Sequence, residues 1–459
     1  MRPETRCDPP RRSRTRRFAG IGRIVQVDAS GPGRLSVARC IADVDAALAA
    51  RGIHPIRLRG EGAAPGRDDD TVVPGLGEHC EPDDGQLERL RERIARLAPD
   101  VVCLHDGRHA RLVHALAQPA RSYLFFWHIH DHYPTCLTGL RESTAGDPPA
   151  CRRRLSMSCL VETARGHCAR SAADPAAGGA PTDAAPAAGR FRMPDLFARL
   201  KLLESARRAD AVLVPSASIR EALLAGLPEL EPRVHIVPPP VASRPAAPRA
   251  AAAPPGIGFH APLDYAHGLH VLLAAFGRLP PTLRLTVRIA GSETDAGYWA
   301  HCRARIAALR HTHPGIEILH LGPLDAAGVE DFYRRTDVLV IARLRGAGPD
   351  FAAAEALVRG AAVIATRAGA THEWIRDGRT GLLVPPGDAG ALTAALGRLC
   401  GDEPLRARLV AAGRWLVGNQ FTAHEHVETL AAVVERCRAQ RRGPRRWQPA
   451  PRPVDARAS

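Results

Sequence analysis

The chain is 459 residues long and carries 63 Lys plus Arg against 48 Asp plus Glu, a formal charge of +15 at neutral pH. With 45% hydrophobic and 24% charged residues it has the material for large cores, which excludes a wholly disordered chain, and its length suggests two to three domains. The single lysine, Lys201, argues against any mechanism built on a P-loop or Schiff-base lysine.

The positive charge sits at the ends. Met1 to Arg17 hold seven arginines against two acids, and Arg436 to Ser459 hold eight against one, so the body between them is near neutral. That distribution argues against a groove that tracks nucleic acid, and no nucleic-acid partner is expected. The ends read as solvated Arg/Pro-rich tails able to touch an anionic membrane. No run of ~18 apolar residues and no signal-peptide core is present, so the expectation is a cytoplasmic protein with peripheral contact at the inner face of the membrane. Eleven cysteines do not amount to a disulfide scaffold.

In chain order, a strand at Arg23 to Val27 leads through the turn ASGPG into an amphipathic helix from Leu35 to Ala50. A strand near His54, a helix from Gln86 to Leu97, the strand Asp100 to Leu104, a helix to Leu116 and the apolar strand Ser122 to Ile129 follow. After Cys136 the pattern breaks up, and 171–189 is an Ala/Pro/Gly stretch that reads as a mobile insertion. Order resumes with a helix from Asp195 to Arg208, the strand Asp210 to Val214, a helix capped by Ser216 and a strand ending at Val237. A Pro-rich linker covers Pro238 to Pro255. Beyond it, strands at 256–260, 284–290, 316–321, 337–341, 361–366 and 381–384 alternate with helices. This spacing predicts an α/β chain of two Rossmann-like parallel-sheet domains facing across a cleft, with ligands at the carboxyl ends of the strands.

The run DVLVIARLRGAGPDFAAAEALVRGAAVIATRAGATHEWIRDGRTGLLVPPGD, Asp337 to Asp388, resembles the C-terminal signature of retaining glycosyltransferases of GT-B architecture, the family 4 (group 1) set. The resemblance extends upstream through GFHAPLDYAHGLHVLLAAF and covers most of 256–400; DAVLVPSASIREALLAGL and HIHDHYPTC match the first domain more loosely. It implies transfer of a sugar from a nucleotide diphosphate donor to a glycan or lipid-linked acceptor, without a cofactor or required metal. The domains it implies are a basic tail at 1–17, an acceptor-side domain at 18–237, the linker at 238–255, a nucleotide-sugar domain at 256–420, a helix at 421–438 packing back on the first domain, and a basic tail at 439–459.

Site residues follow from the same resemblance. Glu355 takes the position of the glutamate that accepts hydrogen bonds from the ribose hydroxyls, and His130 and Asp131 match the family's HD pair near the transferred sugar. Gly31 and Gly33 lie in the first strand-to-helix turn, where backbone approaches a phosphate or acceptor. The pattern departs at three places: the first motif glutamate falls on Ala347, and the arginine and lysine that neutralise the diphosphate fall on Pro262 and His267. Candidate replacements are His267 itself, His260, Arg343, Arg345 and the backbone N–H groups of the helix beginning near Gly268. The departures leave a second reading open, a catalytically inactive GT-B protein acting as a partner or glycan-binding subunit. Cys136, Cys151, Cys159 and Cys168 form a cluster whose spacings lack any CxxC knuckle, and a structural zinc site and loop thiols both stay open.

Overall fold

The computed structural model describes residues 20–29, 35–60, 71–73, 76, 81–137, 151, 153–165, 168, 191–241, 255–344 and 351–442. The expectations at 1–17, 171–189, Gly31, Gly33, Arg345 and Ala347 lie outside them.

The first sheet is built from β1 (Arg23–Asp28), β2 (His54–Arg59), β3 (Thr71–Val72), β4 (Val101–His105), β5 (Leu124–His128), β6 (Ala211–Val214) and β7 (Val234–Ile236). All pairs are parallel, in the order β3-β2-β1-β4-β5-β6-β7. Central strands β4 and β5 are buried at every position, as parallel strands covered on both faces must be. Helices α1 (Leu35–Ala49), α2 (Asp84–Leu97), α3 (Ala110–Leu116), α4 (Met157–Ala164), α5 (Met193–Ser205) and α6 (Ala217–Gly226) accompany it. α2 shows how local chemistry sets a boundary. Asp83 accepts from the Gln86 N–H at 2.7 Å while the Gln86 amide oxygen accepts from the Asp83 N–H at 2.9 Å, a reciprocal cap that starts the helix at Asp84, two residues before the apolar period signals it.

The second sheet holds β8 (Gly256–His260), β9 (Leu285–Ala290), β10 (Ile316–Gly322), β11 (Val338–Ile341), β12 (Ala362–Thr366) and β13 (Leu382–Val384), again parallel, in the order β10-β9-β8-β11-β12-β13. Its helices are α7 (Leu269–Phe276), α8 (Ala296–Thr312), α9 (Ala326–Arg334), α10 (Phe351–Val358), α11 (Thr371–Trp374), α12 (Ala389–Gly401) and α13 (Glu403–Gln420). Each sheet has a switch point, β1/β4 in the first and β8/β11 in the second, where the strand order reverses and a crevice opens at the carboxyl edge. The architecture is GT-B.

The last helix, α14 (Ala423–Arg442), belongs to the second domain in sequence and to the first in packing. Val427, Leu430, Val433, Val434 and Cys437 are buried in one cluster with Ile24, Val44, Leu48, Phe126 and Leu213 of the first domain. Arg441 donates to the Asp210 carboxylate at 2.8 Å and to the Tyr123 carbonyl at 2.9 Å. Burial pushes the Asp210 carboxyl up, and the Phe125 N–H with the Arg121 and Arg441 guanidinium groups outweighs it and holds the group below its ordinary range. The chain crosses between domains twice, and the crossings are tied to each other. Val241 donates its N–H to Phe421 O at 2.7 Å, His426 Nδ1 lies 2.8 Å from Pro238 O, and the Phe421 ring stacks on Trp374 at 4.1 Å.

Three expectations shift here. The helix placed at 421–438 continues to Arg442, so the stretch assigned to a basic tail from 439 begins as ordered helix, held by an arginine whose partner sits on the first sheet. The linker placed at 238–255 begins as packed chain, with Val241 buried, while 242–254 lie outside the described residues. Within the irregular stretch after Cys136 lies α4. Leu430→Ala should cost about 2–5 kcal/mol, read as a lower urea midpoint; a midpoint equal to the parent's would show that α14 does not carry the docking.

Candidate functional site

At the switch point of the first sheet, four buried histidines meet. His105 ends β4 and His128 ends β5, directly paired in register; His130 follows two residues on, and His426 comes from α14. The His128 and His130 rings stack at 4.1 Å, with His105 at 5.2 and 5.3 Å from them. His105 Nε2 lies 2.8 Å from Gln26 Oε1, and His105 Nδ1 lies 3.0 Å from His130 Nε2. The polarity of this chain can be assigned from its far end. The Gln26 amide NH₂ donates to Asp45 Oδ1 at 3.4 Å, so its carbonyl faces His105 and must accept. His105 then carries its proton on Nε2, and its bare Nδ1 accepts from His130 Nε2–H. Arg57 anchors the chain, 3.8 Å from Asp45 with both side chains almost fully buried.

Burial, then the neighbouring His130, pushes the His105 and His128 pKa values well below 6.5, and burial takes His426 to about 4. Cys103, His105 and His128 hold ligand atoms within 4.8 Å of one another. The donor set does not suit a metal ion: both His105 nitrogens are engaged, and burial, followed by the Asp45 charge, pushes the Cys103 thiol up to about 12.

Asp131, the other half of the HD pair, is turned into its own loop. Arg108 donates to Oδ2 at 3.2 Å and the Tyr133 N–H to Oδ1 at 2.7 Å, and the Tyr133 ring lies between the Arg108 and Arg199 guanidinium carbons at 4.2 and 3.0 Å. The carboxylate therefore shapes the turn that presents His130.

On the second domain, Glu355 lies in the second turn of α10 with 22% of its side chain exposed, and faces the first domain: Arg39 on α1 reaches it at 3.7 Å. Arg39 also bears on His260 at the end of β8. Burial, then Arg39 and Arg359, takes that imidazole to about 4, so His260 is neutral at pH 7 and is a poor replacement for a phosphate-binding arginine. His267 Nδ1 donates to Asp264 Oδ1 at 2.7 Å, which fixes the ring and leaves Nε2 as the nitrogen for a ligand. Holding a phosphate oxygen there requires the doubly protonated ring. The Asp264 carboxyl is pushed up by burial and brought below its ordinary range by the bonds from His267 and the Ala266 N–H. Arg343 follows β11 by two residues, and its loop is placed beside that of His267 by the bond from Leu344 N–H to Ala266 O at 2.9 Å. Gly268 is required between them: its φ is +72°, and a Cβ there would stand 2.0 Å from Ala342 O.

The start of α7 departs from expectation. The His270 N–H donates to the Tyr298 hydroxyl at 3.0 Å, and the Val271 and Leu272 N–H groups return to Gly268 O, so three of the four N–H groups of the first turn are already engaged. Pro262 offers no donor, as its residue type dictates. A further link spans the cleft: Glu373 on α11 accepts from the Ala217 and Ser218 N–H groups at 2.9 and 3.1 Å, capping α6 of the opposite domain.

Sequence reasoning missed Arg39, Gln26, His105 and Glu373. Gln26 and His105 had a signal, since each is a polar residue in an apolar strand; Arg39, one of many arginines, had none.

Residues 254–402 match the family model of glycosyl transferases group 1. A stretch of 96 residues, 21% of this chain, is 38% identical to the phosphatidyl-myo-inositol mannosyltransferase of Mycobacterium leprae (strain TN) and spans 26% of that protein. Among solved structures, a glycosyltransferase from Rickettsia africae ESF-5 aligns with a TM-score of 0.64 at 15% identity, covering 91% of this chain and 99% of that one. Anabaena HepE, solved with UDP and glucose, aligns at 0.60 and 15% identity over 90% and 100%. The solved structures establish the shared fold, and the match to the group 1 glycosyl transferase model falls on the second domain.

The buried histidines set a pH window. Their folded pKa values lie below the unfolded value near 6.5, so the unfolded chain takes up protons that the native rings refuse as pH falls from about 6.5 toward 4. Asp210, with its lowered pKa, contributes stability above its unfolded value near 4 and loses it only below that. The melting temperature should hold above pH 7 and fall steadily between pH 6.5 and 4.5; a flat profile there would contradict the assignment.

Proposed function

We propose that the protein is a retaining glycosyltransferase that moves a sugar from a nucleotide diphosphate donor to a glycan or lipid-linked acceptor. The observation that carries this reading is Glu355 on α10, beside the switch point of the second sheet and paired with Arg39 from the opposite domain. A carboxylate there can accept both ribose hydroxyls with charge-assisted bonds. The reaction also needs positive charge where the leaving diphosphate develops its own. The second domain has Pro262 and His267 at the two expected cationic positions, and His260 is neutral. Arg39 from across the cleft and Arg343 from the β11 loop supply the cations: when ribose takes Glu355, the Arg39 guanidinium turns to the diphosphate.

On the first domain, His130 faces the sugar with its tautomer set by His105 and Gln26, and Asp131 holds its loop. The retaining outcome rests on the motif resemblance. HepE, solved with UDP and glucose, and the mannosyltransferase named for a phosphatidyl-inositol acceptor support the donor and lipid-linked acceptor classes. The basic chain ends suit peripheral contact with an anionic membrane, and no helix among the described residues is long and apolar enough to cross one. The second reading, an inactive GT-B partner, draws on Ala347, Pro262 and His267.

Release of nucleoside diphosphate from UDP- and GDP-sugars tests activity, and calorimetry on two variants tests the site. Glu355→Gln should weaken nucleoside and nucleotide alike by roughly 10- to 150-fold, the equivalent of about 1.5–3 kcal/mol. Arg39→Met should weaken the diphosphate while leaving the nucleoside nearly unchanged. Tighter diphosphate binding in Arg39→Met would show that Arg39 merely blocks Glu355. Binding without turnover of any sugar nucleotide would favour the inactive partner.

A further inference from the structure

Among the described residues eight large apolar side chains are exposed. Val72, Ile236, Leu321 and Trp415 lie singly on separate elements, as scattered surface hydrophobes do. The other four lie on two neighbouring helices: Met157 and Val161 on α4 with 54% and 46% exposed, Met193 and Phe197 on α5 with 38% and 58%. The members of each pair are one helical turn apart, so each pair forms a stripe along its helix. α4 and α5 meet around Leu155 and Leu196, with Leu160 and Leu200 packed against that small core. The four exposed side chains are left over once the helices have packed.

The rim of this face is basic. One turn beyond each stripe stands an exposed cation, Arg165 after Val161 and Lys201 after Phe197, and Arg153, Arg154 and Arg192 are exposed ahead of the helices. Of the acids on the two helices, Glu162 pairs with Arg153 at 3.0 Å, Glu204 pairs with Arg207, and Asp195 caps its own helix through the Arg192 N–H at 2.6 Å. A second copy of the chain fits this face poorly, since a two-fold contact would bring cations onto cations. Residues 169–190, which join the helices, contain no large apolar side chain to cover it. An apolar stripe rimmed by cations matches an anionic bilayer, where the apolar side chains enter the acyl boundary and the cations stay with the phosphates.

We propose that the exposed faces of α4 and α5 seat the first domain on an anionic lipid surface, a folded contact separate from the basic chain ends. Two residues beyond Phe197, Arg199 lies against the Tyr133 ring at 3.0 Å, and the Tyr133 N–H holds Asp131. Seating α5 on the bilayer therefore brings the turn of His130 and Asp131 close to the lipid. The contact rests on the reading of a lipid-linked acceptor for its use, since such an acceptor would reach His130 from that side, and not for its existence.

Co-sedimentation of the full chain with vesicles tests it. Mixed phosphatidylcholine–phosphatidylglycerol vesicles should bind the parent, pure phosphatidylcholine vesicles should bind it far less, and binding to the mixed vesicles should weaken with salt. Met157→Ser combined with Phe197→Ser should lower the partition coefficient by about 10- to 100-fold, although both basic ends remain. Both side chains are exposed, so the melting temperature should stay at the parent's value. Arg165→Glu with Lys201→Glu should lower binding as well, and amide exchange in α4 and α5 should slow when mixed vesicles are added. Equal binding by the parent and the double serine variant, or no slowing in α4 and α5, would assign membrane contact to the chain ends alone and overturn the proposal. A parent that ignores both kinds of vesicle, or that sediments as a dimer dispersed by the serine changes, would overturn it too. These readouts need no nucleotide and no turnover, so their failure leaves the glycosyltransferase reading standing, and a failure to bind UDP or GDP leaves the membrane contact standing.

Discussion

The cleft exists in its present form because α14 is buried on the domain it does not belong to in sequence. Val427, Leu430, Val433 and Val434 follow helical spacing and insert beside β1, β4 and β5 strand residues, so the second domain is tied to the first by apolar burial as well as by two chain crossings. The crossings are stiffened by the Val241–Phe421 and Pro238–His426 contacts. With the sheets held this way, charges at their carboxyl edges can meet: Arg39 with Glu355, and Glu373 with the start of α6. The last two are polar contacts between domains, cheap to break relative to the α14 interface.

Polar burial on the first domain is the second constraint. Arg57, Asp45, Gln26, His105 and His130 form one continuous path through a region otherwise filled by Val, Leu and Phe, and an unmatched member would be costly. The path has a direction because only one end is ionic. It delivers a histidine of fixed tautomer to the switch point, where a parallel sheet places its ligands. The Tyr133 turn, clasped by two arginines and by Asp131, holds the following chain.

Much of this was legible in the residue order. Apolar runs such as VVCLH and DVLVI alternate with helical periods, and that rhythm fixes a pair of parallel sheets; Glu355, His130 and Asp131 were visible through motif resemblance. The illegible parts have physical reasons. β3 has two residues, too few to show a period, and α4 is short and poorly patterned. Arg39 meets Glu355 only through domain packing, over a sequence separation that carries no local signal. The first turn of α7 looks open to an anion until Tyr298, brought from α8, takes one of its N–H groups. His260 lies at a carboxyl edge as expected, but its burial beside Arg39 and Arg359 removes the charge that would make it useful.

In the proposed function the cleft takes a nucleoside diphosphate through Glu355 and cations from both domains. Calorimetric titration of the full chain with UDP and with GDP tests it most directly. Saturable one-to-one binding of at least one of them is expected, with a dissociation constant in the range of about 1 μM to 1 mM common for such substrates, weakening as salt screens the arginines. A folded protein that binds neither nucleotide would contradict it.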